Sequence, residues 1–131
     1  MQNHYLQFTV LLVLAVACSA PTAPEPEGIW GGTDASLILS RSGGTLGYPC
    51  GAGSIDPSWS IESSGRFTAT GQHYFGGGPV PITGRPPHPA RYTGRVEGDG
   101  FTLTVTLLDL SQVLGPFHMT RGGPVVSELC L

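Results

Sequence analysis

Along the second half of the chain, apolar and polar positions alternate with a period of two. Phe101, Leu103, Val105 and Leu107 fall on one side of a segment whose other side is Thr102, Thr104 and Thr106. Successive side chains of a strand point to opposite faces, and β-branched residues suit a half-buried sheet, so this segment predicts a strand with one buried and one hydroxyl-rich face. The strand before it, Ala90 to Val96, enters through Glu97-Gly98-Asp99-Gly100, whose glycines permit the positive φ of a tight hairpin. Arg66 to Tyr74 alternates in the same way and follows Ser58 to Glu62 through Ser63-Ser64-Gly65. Ala35 to Arg41, Thr45 to Cys50, Phe117 to Arg121 and Val125 to Leu131 complete the expected strands, with turns at Gly43-Gly44 and Gly122-Gly123. No segment carries a helical period, apart from one expected turn within Leu107 to Leu114.

About eight short strands joined by hairpins predict an all-β fold, a small antiparallel up-and-down β-barrel, because closure removes the edges such a meander would expose. A two-sheet β-sandwich is the alternative. Gly71 and Gly94, inside strands, are expected where the sheet coils sharply or backbones approach closely.

The first residues follow a different pattern. Leu6 to Ala17 is apolar apart from Gln7 and Thr9. A run this short does not reach the roughly 20 residues needed to span a bilayer and reads as the core of an export signal. Ala15-Val16-Ala17-Cys18 resembles a bacterial lipobox, with alanine at the position where leucine is usual. The amino-terminal Met1 to Tyr5 lacks the usual Lys or Arg. The resemblance implies lipidation of Cys18, removal of residues 1–17 as a signal peptide, and a location in the bacterial cell envelope, facing the periplasm or exterior. Ser19 after the cysteine resembles the pattern that lets lipoproteins pass to the outer membrane. Cleaved secretion without a lipid is the alternative. Residues 18–28 would then form a lipidated, Pro-rich tether of about 25 to 30 Å in extended form, leaving residues 29–131 as a single domain.

With Cys18 assigned to the lipid, Cys50 and Cys130 remain. In an oxidising compartment they are expected to form a disulfide that staples the last residues of the chain to its first third; two free buried thiols or a metal pair are the competing reading, although no second cysteine lies close enough to either for a zinc pattern. Composition narrows the function further. All six basic residues are arginines against nine acids, so the basic footprint of a nucleic-acid binder is missing.

Gly28-Ile29-Trp30 resembles the G-x-W that opens the first strand of lipocalins, avidins and related calycin barrels. Arg121 sits near the end of a late strand, where that superfamily often places an arginine over the tryptophan. The resemblance implies a Trp30–Arg121 pair closing one barrel end by guanidinium stacking. It carries over no ligand, since none of the superfamily's ligand-contacting residues is matched.

No hydrolase, zincin, P-loop or complete dinucleotide motif is present, Gly51-Ala52-Gly53 being only a fragment, so neither an enzyme nor a cofactor is expected. His73, His88 and His118 are too irregularly spaced to predict a metal site. His118 is expected to point away from the face shared by Phe117 and Met119. The segment Phe75 to Pro89 is long for a connection, its prolines limit its conformations, and long ordered loops often bind. Phe75, Val80, Ile82, Arg85 and His88 are therefore the candidate contacts, the competing reading being an uninvolved excursion between strands. The expectation is a membrane-anchored extracytoplasmic binding module that engages a small apolar ligand or an envelope protein. A periplasmic hydrolase inhibitor and an envelope structural lipoprotein are the alternatives. An open interior would favour a ligand, and a filled one a protein partner.

Overall fold

The structure is a computed structural model and describes residues 23–77, 80 and 82–126. Among the described residues nine strands follow one another: β1 (Gly28–Gly31), β2 (Ser36–Ser40), β3 (Gly43–Tyr48), β4 (Gly51–Ile55), β5 (Ser60–Ile61), β6 (Arg66–Phe75), β7 (His88–Glu97), β8 (Gly100–Leu107) and β9 (Gln112–Arg121). Each pairs antiparallel with its sequence neighbour, except that β4 passes over β5 to pair with β6. β9 returns to β1 through Trp30↔Arg121 and Gly31↔Thr120 and closes the ring. The result is an eight-stranded up-and-down barrel, with β5 as a short flap on β6. No sandwich forms, because the hairpin meander leaves no break between two sheets.

Alternation decides what lies inside. β8 buries Phe101, Leu103, Val105 and Leu107 and turns its threonines outward, as its period predicts. Leu37 and Leu39 from β2, Leu46 and Tyr48 from β3, Phe67 and Ala69 from β6, and Tyr92 and Val96 from β7 join them. These side chains fill the barrel. Aromatic rings form its lower half, where Phe101 meets Trp30 edge-on at 5.3 Å and Phe67 at 5.2 Å. Gly71 and Gly94 stand where a Cβ would run into the carbonyls of Ser54 and Thr102, the close approach expected of glycines within strands.

Several boundaries differ from the sequence reading. The β2–β3 turn is Arg41–Ser42, and Gly43 and Gly44 belong to β3. Gly51-Ala52-Gly53, read only as a motif fragment, opens β4 (Gly51–Ile55); its inward positions Gly51 and Gly53 carry no side chain, which hides the alternation. Residues 108–111 form a plain turn in place of a helical one, and β9 starts at Gln112, well before Phe117. Its first half is irregular, with a register shift between Leu103 and Val105 across from Gly115 and Pro116, where a proline is tolerated because the ladder is already broken. Val125 and Val126 are not in a strand, and the rest of that expected element lies outside the described residues. So do residues 1–17, Cys18 and Cys130.

The expected tether gives up its last residues to the domain. Pro26 is buried and its carbonyl accepts a 2.8 Å hydrogen bond from Trp30 Nε1. The carbonyls of Glu25 and Glu27 accept from the Arg121 guanidinium. An extended segment from Cys18 to Pro24 would reach only about 20 Å.

Candidate functional site

The antiparallel meander sends alternate connections to opposite ends. One end carries the start of β1, the end of β9, the β2–β3 and β7–β8 turns, and β5. The other carries the connections β1–β2, β3–β4, β6–β7 and β8–β9.

The first end is closed by two tryptophans, each under an arginine. Arg121 Cζ lies 4.3 Å from the ring centroid of Trp30, the pair that the resemblance of Gly28-Ile29-Trp30 implies, and Arg41 Cζ lies 5.0 Å from that of Trp59. Trp59 Nε1 donates to the Ser40 carbonyl at 2.8 Å. Arg41 Nε also sits 2.7 Å from Glu27 Oε1, a charge contact whose angle falls short of a hydrogen bond. Trp59 and Arg41 were not singled out from the sequence, although the pairing repeats the Trp30–Arg121 logic. Every polar group of the two indoles is used, so this end is a plug.

The opposite end is built differently. Phe75 is the last residue of β6 and His88 the first of β7, so the connection proper is residues 76–87, shorter than Phe75 to Pro89. Arg85 pins it, donating from Nη1 to the carbonyls of Phe75 at 3.2 Å and Gly77 at 2.9 Å. His88 Nδ1 lies 2.7 Å from Asp109 Oδ2, and the Leu108 N–H donates to the Pro89 carbonyl at 2.9 Å, tying the connection's base to the β8–β9 turn. Val80 and Ile82 are exposed, Ile82 completely. Leu108, Leu110 and Val113 on the neighbouring turn and strand are exposed as well, and Phe75 partly so. The candidate contacts Phe75, Val80, Ile82, Arg85 and His88 therefore share one end, with Arg85 and His88 as braces of the loop.

Beneath this apolar rim lies a polar layer the sequence reading missed. His73 and Tyr48 point into the barrel with their rings 5.3 Å apart, and both are buried. His73 Nδ1 and Tyr48 Oη have no hydrogen-bond partner among the described residues. Tyr92, one layer deeper, is satisfied, its hydroxyl donating to the Gln72 carbonyl at 2.7 Å. Burial, with His88 across the strand pair as a second cause, holds His73 below the usual histidine range and so neutral at pH 7. Burial, with Tyr92 a lesser cause, pushes the Tyr48 phenol up. Phe75 covers the layer, meeting His73 at 4.7 Å and His88 at 5.2 Å, while Phe117 packs on Tyr48 at 5.2 Å. The signal was available: His73 is in phase with Phe67 and Ala69, and Tyr48 with Leu46.

The three histidines do not converge. His118 is on the outer wall, as its position between Phe117 and Met119 predicts, with Nδ1 3.3 Å from Thr102 Oγ1. Among the described residues no three His, Cys, Asp or Glu side chains come together to hold a metal ion. Beside the rim, a groove of about 260 Å³ separates the β3–β4 turn from the β6–β7 connection, with Cys50, Ala52, Tyr74, Gly76 and Arg85 in its walls. Cys50, on that turn, is disulfide-bonded; its expected partner, Cys130, lies outside the described residues. No protein-family model matches the chain, and no curated protein or solved structure is detectably similar to it.

Proposed function

We propose that this chain is a membrane-anchored extracytoplasmic binding module that engages a protein partner through the end bearing the 76–87 connection. One observation carries the reading: six large apolar side chains, Phe75, Val80, Ile82, Leu108, Leu110 and Val113, stand exposed at one end of a barrel whose interior is occupied by its own side chains. Exposed apolar clusters of this kind mark interaction sites, and a filled interior leaves no chamber for an apolar ligand. The arrangement of the ends supports the same reading. The amino-terminal segment leaves from the tryptophan end, so an anchor at Cys18 would hold the apolar rim on the side away from the membrane. The buried neutral pair Tyr48 and His73 favours an uncharged hydrogen-bonding group in whatever presses past Phe75, because a bare charge would go unpaired there.

A photo-crosslinking residue in place of Ile82, compared with one in place of Thr104 on the outer wall of β8, tests this in intact cells. A discrete protein adduct from position 82, missing from position 104, is expected, and Val80→Ser/Ile82→Ser should remove a partner so identified from co-purification. Equal labelling from both positions would sink the reading. So would stoichiometric uptake of an apolar dye that quenches tryptophan, which would return the small-ligand reading.

A further inference from the structure

Two lateral rows of the inner face meet at the open end of the barrel. Tyr48, Gly51 and Phe75 are successive cross-strand partners at the mouth, and Leu46, Gly53 and His73 form the row one step deeper. Each row has glycine at its centre, and the two glycines differ. At Gly53 the room is taken, since a Cβ there would fall 2.6 Å from the Tyr92 hydroxyl. A Cβ on Gly51 would sit 3.6 Å from Tyr48 Cδ2 and 3.8 Å from His73 Cε1, both ordinary contacts, with the Tyr74 carbonyl closer at 3.0 Å. No side chain from β4 therefore covers the two rings, and Gly51 also lines the groove of about 260 Å³ beside the rim. The polar atoms of this pair do nothing for the fold. His73 is 3% and Tyr48 6% exposed, and His73 Nδ1 and Tyr48 Oη bond to nothing among the described residues. A buried polar atom left unpaired carries its full desolvation cost, which an apolar pair in the same layer would avoid. Such an unrecovered cost points to a ligand.

We propose that Tyr48 and His73 form the specificity subsite of the rim and take the primary amide of an asparagine or glutamine side chain, inserted by the partner over Gly51 and beneath Phe75; this rests on the partner-binding reading above. The two polar atoms select the group. The phenol offers an O–H donor, and the ring nitrogen accepts or donates according to tautomer. A primary amide answers either state: its carbonyl accepts from Tyr48 while its NH2 donates to a bare Nδ1, or the carbonyl accepts from both when Nδ1 carries the proton. A hydroxyl brings one polar atom to two partners. A carboxylate or an ammonium group would give up its hydration between Phe75, which meets His73 at 4.7 Å, and Phe117, which meets Tyr48 at 5.2 Å. Phe75 covers the subsite from above, and a rotamer change of this partly exposed ring opens it.

Acetamide is the probe, read by imidazole nitrogen NMR of the mature chain, with the His73 signals identified by their loss in His73→Phe. Titration with acetamide should move the His73 Nδ1 signal saturably, and titration with acetate or methylammonium should not. Tyr48→Phe should weaken the acetamide response about tenfold, the loss of one hydrogen bond. The same variant should keep its urea midpoint at or above that of wild type, because the hydroxyl has no bond to lose in the free protein. No saturable response to acetamide, or an equal response to acetate, overturns the proposal. A lowered midpoint in Tyr48→Phe overturns it too, by showing that the hydroxyl is already bonded to a resident water. The acetamide titration needs no partner, so its failure leaves crosslinking from position 82 standing. Acetamide binding without an adduct from position 82 overturns the side-chain source and assigns the subsite to a free amide.

Discussion

The Arg121 guanidinium is held between an indole and two backbone carbonyls: its Cζ is 4.3 Å from the Trp30 centroid, and its two terminal nitrogens donate to Glu25 and Glu27 at 2.6 and 3.0 Å. The side chain thus joins the first strand, the last strand and the segment leading in from the amino terminus. Asp99 Oδ1, 3.8 Å from Arg121 Nε, is mostly exposed and adds little.

Arg121→Ala should therefore cost about 1 to 3 kcal/mol, through lost packing on the indole and two carbonyls left without their donors. Arg121→Lys keeps the charge but not the planar fork, and should recover less than half of that. Denaturant melts with tryptophan emission as the probe check both. Wild-type stability in Arg121→Ala would mean that the tryptophan end is closed by the core alone.

Gly71 supplies a sharper test of barrel closure. It lies in β6 opposite Ile55, the pairing that joins β4 to β6, and an added Cβ would press on the Ser54 carbonyl. Backbone cannot move aside as a side-chain tip can, so Gly71→Ala should cost at least about 2 kcal/mol. Gly98→Ala, at an open turn position with φ +56°, should cost about 1 kcal/mol from conformation alone. Thermal melts of the two variants should therefore separate clearly.

These contacts show which parts of the fold the sequence could reveal. β8 alternates cleanly because every inward position is large, Phe67, Tyr92 and Val96 keep the pattern readable in β6 and β7 although Ala69, Gly71, Ala90 and Gly94 share their inward face, and Glu97-Gly98-Asp99-Gly100 gives the hairpin that joins the last two. The same rule fails for β4, whose inward Gly51 and Gly53 make room for Tyr48, His73 and the Tyr92 hydroxyl. It fails again for the first half of β9, where Gly115 and Pro116 look like a strand end yet sit at an irregularity within the ladder. Trp30 and Arg121 were legible as a pair only through a resemblance, that of Gly28-Ile29-Trp30 and a late-strand arginine to the calycin pattern. The polar layer was harder to see, because a histidine in phase with phenylalanine reads as a surface residue until closure puts its face inside.

Burial of His73 gives the stability a pH dependence of definite sign. Its native pKa is lowered, chiefly by desolvation and secondarily by His88, while the unfolded chain titrates near the ordinary value of about 6.5. As pH falls below that value, the unfolded state takes up a proton that the native state refuses, so stability declines until the lowered native pKa is reached. The slope in that window approaches about 1.4 kcal/mol per pH unit. Above pH 7 this residue contributes no slope. His73→Phe should flatten the decline between pH 6.5 and 5, as read from urea midpoints across pH. An unchanged profile would assign the decline to other groups.

An anchor at Cys18 predicts a change of compartment without a change of fold. Cys18→Ser should leave the barrel's melting behaviour intact while moving the chain from the membrane to a soluble fraction. Glu25, Pro26 and Glu27, whose carbonyls accept from Trp30 and Arg121, are not altered. Intact mass of the mature wild type should show the lipid, and its absence together with equal membrane partition of the two proteins would remove the anchor.

Shortening the β6–β7 connection separates folding from binding. His73 is opposite His88, so Phe75 faces position 86, and removing residues 78–85 leaves Gly76–Gly77 as a two-residue turn between them. Glycines suit such a turn, and closure entropy changes slowly with loop length. The loss of the Arg85 bonds to Phe75 and Gly77 is offset because the shorter turn no longer needs bracing. The deletion should hold the barrel within about 1 kcal/mol of wild type. It also removes Val80 and Ile82 from the exposed rim while leaving Phe75, Leu108, Leu110 and Val113 in place. Crosslinks from a probe at Leu110 should then disappear although the protein still melts cooperatively. A deletion that unfolds the barrel would make the connection part of the core, and one that folds and still crosslinks from Leu110 would move the contact to the β8–β9 turn.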